Sequence, residues 1–352
     1  MPRRMQDETL MLTRIIFDNF TAFTSLEVKF SAGINIFTGE NSTGKTHILK
    51  ALYAGCCITK DDHSFASKIR RTFLPFGCKI GTLVKRSSNK GSIELFRTIN
   101  TEERSIKLSF TKLTTQIPSY LSNEECKTWK EDQFESVYLP LFMIPNTSCF
   151  RTYSPEKEKH DFYRNINFDE IYNDIIEKIF FISSQESKRS PDPQFTSILA
   201  AIQDIIGGRV IIKRNFLFFK AKGGKELLFS LLSDGYRKLG LLWFLLQNGM
   251  LTRNSVLLLD EPDCSLHPNL IKVIVSLLIE MQRIGMQIFL STKNFAMLHE
   301  FELQLTEKDQ ITYHTLFRDA DGSIACYSAG KYSDTPQGSR EHDLVSKISK
   351  GR

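Results

Sequence analysis

The chain has 352 residues, 41% hydrophobic and 24% charged, ordinary for a folded protein and enough for one large α/β core or two lobes. A net charge of +6, with a pI of about 8.8, permits nucleic-acid contact without demanding it. Seven irregularly spaced cysteines lack the paired C-x₂-C spacing of a zinc site and point to reduced cytoplasmic thiols, while the most apolar stretch, Leu239–Leu246, is far shorter than the roughly 20 residues that span a bilayer.

Residues 12–37 read as two strands, Leu12–Phe17 and Leu26–Phe30, leading to a third apolar run, Gly33–Thr38. That run ends in Gly39-Glu-Asn-Ser-Thr-Gly-Lys45-Thr46, which fits G-x-x-x-x-G-K-[ST] at every fixed position, and opens onto a helix-compatible stretch, Lys45–Cys56. Strand, loop and helix in that order aim backbone N–H groups at a bound phosphate. The expected nucleotide contacts are Gly39, Asn41, Ser42, Thr43, Gly44, Lys45 and Thr46, with Lys45 on the β- and γ-phosphates. Cys56-Cys57 falls inside this helix as packing, and His47 in its first turn reads as structural or interfacial rather than catalytic.

Three short alternating runs follow, Ile80–Arg86, Gly91–Asn100 and Arg104–Thr111, and predict an antiparallel sheet flanking the nucleotide lobe. Residues 113–205 are less legible. Val137–Pro145 predicts a buried strand, Phe168–Phe181 has the spacing of an amphipathic helix, and Ser187–Pro193 reads as a loop. No sustained heptad is present.

Ser233-Asp-Gly235 then precedes a long apolar helical stretch, Tyr236–Gln247, and lies 27 residues upstream of Asp260. Taken alone it is an ordinary N-cap. A Ser and a Gly at a helix N-terminus also present unpaired N–H groups and the positive end of the dipole, which suits a γ-phosphate. Val256-Leu-Leu-Leu-Asp260-Glu261-Pro262 reads as a buried parallel strand delivering two acids at its C-terminal edge. Those acids either cap a turn or, given the upstream loop, do chemistry: Asp260 holds Mg²⁺ together with the Thr46 hydroxyl, and Glu261 polarises the attacking water of ATP hydrolysis. His267, in the loop after the acids, reads as structural. The tail, Gly330–Arg352, is polar and basic, and no targeting segment is legible in the polar stretch Met1–Glu8.

Three motifs in this order, with Asn35–Lys50, Ile206–Val210, Asp234–Gly240 and Asp260–Pro268 around them, resemble the soluble, non-transporter ABC-type ATPases. The chain is similar to RecF, SMC and OLD-type heads, and most of all to the small stand-alone AAA-type ATPases of prokaryotic anti-phage systems. The resemblance covers residues 10–60 and 200–318, roughly half the chain by direct motif. It implies an α/β P-loop NTPase head with a mixed central sheet, a flanking antiparallel sheet and a helical insertion. The corresponding division is 1–112, 113–205, 206–330 and a tail, 331–352. It also implies an ATP-dependent homodimer or higher oligomer in which Ser233 and Gly235 of one subunit complete the phosphate site of the other. In related heads an N-terminal aromatic or apolar residue lies against the adenine. Phe20 and Phe23 are candidates, but with 27 Phe in the chain core packing is the better expectation. Arg151 falls where the family's lobe-joining loop contacts Mg²⁺ or phosphate.

Two positions depart from the family pattern. Lys293, in Ser-Thr-Lys-Asn-Phe, stands where these ATPases usually carry a His on the γ-phosphate. A lysine there is a positive but flexible donor, so hydrolysis is expected to be slow, or the chain acts as an ATP-gated binder. Ser42 stands where Gly is usual in the loop, and Ser is tolerated in a turn. Two function classes follow: the ATPase subunit of a defence complex controlling a separately encoded effector such as a nuclease or toxin, and a RecF- or SMC-like ATPase that clamps DNA directly. The short intervening region and missing coiled coil favour the first. No membrane contact is expected.

Overall fold

The computed structural model describes residues 10–60, 63–115, 124–133, 135–140, 170–183, 190–213, 216–264 and 266–339. Arg151 and the tail beyond residue 339 lie outside them, as does the part of the expected strand past Pro140.

The centre is a six-stranded sheet. Along the chain its members are β3 (Ile34–Gly39), β6 (Ser136–Leu139), β10 (Val256–Asp260), β11 (Gln287–Ser291), β12 (Ile311–Arg318) and β13 (Ile324–Ala329). Their spatial order is β13-β12-β3-β11-β10-β6. Every pairing is parallel except β12 with β13, which makes the sheet mixed. β3, β10 and β11 are buried at every residue, as expected of strands covered on both faces, and this explains their unbroken apolar runs.

A second, antiparallel sheet joins β1 (Leu10–Phe20), β2 (Phe23–Lys29), β4 (Lys90–Ile99) and β5 (Glu102–Thr111) in the order β2-β1-β4-β5. Two of its three expected partners are present. The third, Ile80–Arg86, is instead a tight 3₁₀ turn at Ile80–Leu83, with a single bridge from Val84 to Phe20. The reason is tertiary packing against residues 112–114: the Gly81 N–H donates to Thr114 O, and a Cβ on Gly81 would stand 2.4 Å from Lys112 O. A third sheet, β7 (Gly208–Lys213), β8 (Phe216–Ala221) and β9 (Glu226–Leu228), was not anticipated from the sequence.

Helices cover these sheets. α1 (Lys45–Cys57) follows the phosphate loop and α2 (Phe65–Phe73) packs on it. α4 (Glu170–Ser183), the expected amphipathic helix, docks through a buried network. Lys68 pairs with Asp174 at 2.9 Å and Glu170 at 3.4 Å, and the Tyr53 hydroxyl donates to Asp174 at 2.6 Å. Burial raises the Asp174 pKa against the pull of Lys68. α3 (Glu124–Glu131) carries the buried Trp129, whose indole N–H donates to Gly55 O near the end of α1 at 2.9 Å. The Arg97 guanidinium lies 4.3 Å above its ring. α5 (Thr196–Ile206) and α6 (Asp234–Gln247) pack against each other, while α7 (Pro268–Arg283) and α8 (Phe295–Gln304) flank the last strands.

Candidate functional site

Parallel strands ending together at one sheet edge bring their C-terminal residues into a single crevice. Here β3 ends in Gly39, β10 in Asp260 and β11 in Ser291, on adjacent strands. Gly39 has φ +129 and is pressed against β12, where a Cβ would meet Leu316 O at 2.0 Å. Only glycine fits that conformation and approach. The loop then turns through left-handed conformations at Ser42, φ +63, and Gly44, φ +93. That is the physical reason glycine is usual at the position Ser42 occupies. Arg318 donates to Ser42 O at 3.0 Å.

α1 starts at Lys45 with no side-chain cap, which leaves its first-turn N–H groups without a capping partner from its own chain. Lys45 Nζ folds back and donates to Gly39 O and Glu40 O, each at 2.7 Å. Burial lowers its pKa most, Lys293 adds to that, and Glu261 and Asp260 oppose it. Thr46 Oγ1 lies 3.1 and 3.2 Å from the two Asp260 carboxylate oxygens.

Asp260 is buried and held by neutral donors from the neighbouring strands: Ser291 Oγ at 2.5 Å and Tyr138 OH at 3.2 Å. It makes no salt bridge among the described residues. A buried carboxylate beside a threonine hydroxyl is a hard-oxygen donor pair that fits Mg²⁺. Glu261 follows with φ +45, a left-handed conformation rare for a non-glycine residue. Its N–H donates to Ser291 O at 3.0 Å and Oγ at 3.1 Å, and its Oε1 is 3.2 Å from Lys293 Nζ. Lys293 is half exposed. Thr292 Oγ1 donates to Asp263 at 2.8 Å, which ties the turn after the acids to the end of β11.

Ser233 sits apart from this cluster. It occupies the N-cap of α6 in extended conformation, exposed, and its side chain makes no capping bond. Gly235 is buried in the first turn, and Asp234 is paired with Arg237. Lys238, one turn further, is buried and donates to Glu261 O and Cys264 O, each at 3.2 Å.

The sequence-predicted residues therefore divide. Gly39, Gly44, Lys45, Thr46, Asp260, Glu261 and Lys293 converge, with Asn41 and Ser42 exposed on the loop and Thr43 buried within it. Phe20 and Phe23 are both fully buried in an aromatic cluster with Phe17, and the Phe23 ring backs Gly44, where a Cβ would stand 2.4 Å away. His47 hydrogen-bonds Thr21 Oγ1 at 3.0 Å, and burial, then Lys50, lowers its pKa. His267 caps α7 by accepting from Asn269 N–H. Tyr138, Ser291, Lys238 and Arg318 were not singled out from the sequence. Ser291 alone carried a signal, a hydroxyl ending an apolar strand beside the acid strand.

Comparison with known proteins agrees with this geometry. Residues 34–294 match the family described as "AAA domain, putative AbiEii toxin, Type IV TA system". The DNA replication and repair protein RecF of Streptococcus suis is 29% identical over 89 residues, 25% of this chain and 24% of the relative. RecF of Cytophaga hutchinsonii is 43% identical over 51 residues, 14% and 13% of the two chains. The matched stretch thus spans a quarter or less of these relatives. Among solved structures, an Smc head bound to the C-terminal winged-helix domain of ScpA superposes with a TM-score of 0.57 at 15% identity, over 90% of this chain and 97% of that one. The Smc head of Pyrococcus furiosus with an extended coiled coil gives 0.53 at 13%, over 97% and 100%. The fold is that of SMC-type ATPase heads, and the chain belongs to the AAA-domain family that spans its phosphate loop, both acids and Lys293.

Proposed function

We propose that this chain binds and hydrolyses ATP as the ATPase subunit of a prokaryotic anti-phage defence complex, closing into a dimer that controls a separate effector such as a nuclease or toxin. The observation that carries the reading is the convergence of Lys45, Thr46, Asp260 and Glu261 at one sheet edge. Lys45 holds the β- and γ-phosphates, and its present carbonyl contacts mark where that charge is received. Thr46 and Asp260 hold Mg²⁺, which neutralises charge on the phosphate oxygens when bound. Glu261 orients and polarises the attacking water, and Lys293 reaches from Glu261 toward the γ-phosphate. The exposed, uncapped Ser233 suits a phosphate presented by a second copy. The toxin–antitoxin description of the family supports a defence role.

A second reading, a DNA-clamping ATPase, is favoured by the RecF matches and by one surface. From residue 63 to 93 there is no carboxylate, and Lys79, Arg86, Lys90 and the nearby Lys112 are exposed. The test is to purify wild type and Glu261→Gln together with the protein encoded alongside. Glu261→Gln should keep ATP affinity and slow turnover roughly 100-fold or more, trap a dimer by light scattering, and retain the partner. The chain alone should show no nuclease activity. Tight duplex-DNA binding at physiological salt, with no co-purifying protein, replaces the first reading with the second.

A further inference from the structure

The peptide that carries Glu261 is gripped from both sides. Its N–H is held by Ser291, at the end of β11, and its C=O by Lys238, from α6. Glu261 O also accepts from Cys264 N at 3.0 Å, closing a turn whose first and last carbonyls both receive the Lys238 ammonium. This turn includes the left-handed residue itself, φ +45. A non-glycine residue stays in that region only where its surroundings over-determine it.

Lys238 is an expensive choice for such a clamp. It is 9% exposed and forms no ion pair within 4 Å among the described residues, so a buried charge is spent on two carbonyls. Burial works against its charge, while Cys264 and the carboxylates of Asp263, Asp234 and Glu261 nearby favour it, yet its direct hydrogen bonds go to the two carbonyls. Its position along α6 gives those bonds a direction of influence, since it lies one turn beyond Ser233 and Gly235. Any axial or rotational shift of the N-terminus of α6 is therefore delivered to the carbonyl of Glu261, with no flexible loop between.

We infer that Lys238 is a positioning residue that sets the aim of the Glu261 carboxylate and couples it to the Ser233 end of α6. The inference rests on the proposed role of Glu261 as the water-activating acid. With Lys238 in place, a phosphate seated on the helix end and the acid behind it move as one body. Without it, the turn after β10 keeps its ties to β11 through Ser291 and Thr292 but loses its anchor on α6, and the carboxylate samples other directions.

The test compares Lys238→Met, Lys238→Arg, Glu261→Gln and the double variant Lys238→Met/Glu261→Gln in single-turnover ATP hydrolysis, with ATP affinity measured by calorimetry. Lys238→Met should slow the chemical step about tenfold or more, as misplacement of a reacting group does, while ATP affinity stays within about threefold. Lys238→Arg, which keeps a buried donor, should recover most of the rate. The double variant should be no slower than Glu261→Gln alone. If Lys238→Met lacks a cooperative melt, Lys238→Gln, too short to reach both carbonyls, must show the same split between rate and affinity. A wild-type rate in Lys238→Met beside a slow Glu261→Gln overturns the coupling and leaves the site reading intact. So does a loss seen wholly in affinity, or one that multiplies with Glu261→Gln. A wild-type rate in Glu261→Gln removes the site reading and this inference together.

Discussion

The sheet edge at β3, β10 and β11 and the N-terminus of α6 both offer groups suited to phosphate, but they are finished to different degrees. At the sheet edge every chemical group has a protein partner: Lys45 on two carbonyls, Thr46 on Asp260, Asp260 on Ser291 and Tyr138, and Glu261 on Lys293. At the helix end Ser233 is exposed and its hydroxyl caps nothing, although an N-cap serine ordinarily bonds a first-turn N–H. A site organised by its own chain works through its internal geometry. A helix end left open to solvent is organised for something that arrives. Under the proposed dimer, the difference would give each of two copies one half of the chemistry.

The largest effect should come from removing the cation at the finished end. Lys45→Ala is expected to weaken ATP binding at least about 100-fold, because a charge-assisted contact to two phosphates is lost from a buried position. Equal affinity of wild type and variant by calorimetry would sink the assignment.

Ser233→Arg should break the comparison from the other side. ATP affinity of the dilute monomer stays within about threefold, since a single chain's site is untouched, while ATP-dependent dimerisation disappears by light scattering. Mixing this variant with Lys45→Ala can restore at most one working site of two. A fully active monomer at high dilution contradicts the division between copies.

Lys293 should give the smallest change. Its ion pair with Glu261 is half exposed, and such a pair is worth up to about 1 kcal/mol, or roughly fivefold in rate. Lys293→Ala is expected to lower turnover by about that factor, and Lys293→His to keep or raise it. Wild-type behaviour in both would make Lys293 a solvated loop charge.

How much of this was legible follows from what each feature depends on. The phosphate loop, both acids and the strands beneath them were readable because β3 and β10 are buried on both faces, and their apolar runs end at polar residues that have nowhere else to go. The mixed central sheet came from the resemblance those motifs carry, and the flanking antiparallel sheet from the alternation of Gly91–Asn100 and Arg104–Thr111. Ile80–Arg86 misled because a 3₁₀ turn at Ile80–Leu83, packed against residues 112–114, leaves only the Val84 end to bond across to β1. β7 to β9 were missed because these strands are only partly buried and carry no apolar run longer than Phe216–Phe219, and β9 is three exposed residues. Tyr138 and Lys238 could not be found by spacing. Each acts over more than 20 residues of separation, on a carboxylate in one case and a carbonyl in the other.

The chain's two tryptophans each stand near the far end of a helix that begins in one of the regions compared. Trp129 is hydrogen-bonded to the far end of α1 and covered by Arg97, so a shift of the helix that begins at Lys45 alters the charge above its ring. Trp243 is buried on α6, ten residues beyond Ser233. Replacing either by Phe leaves a single tryptophan, whose emission, excited beyond the absorption of the tyrosines, follows one helix at a time with no label attached.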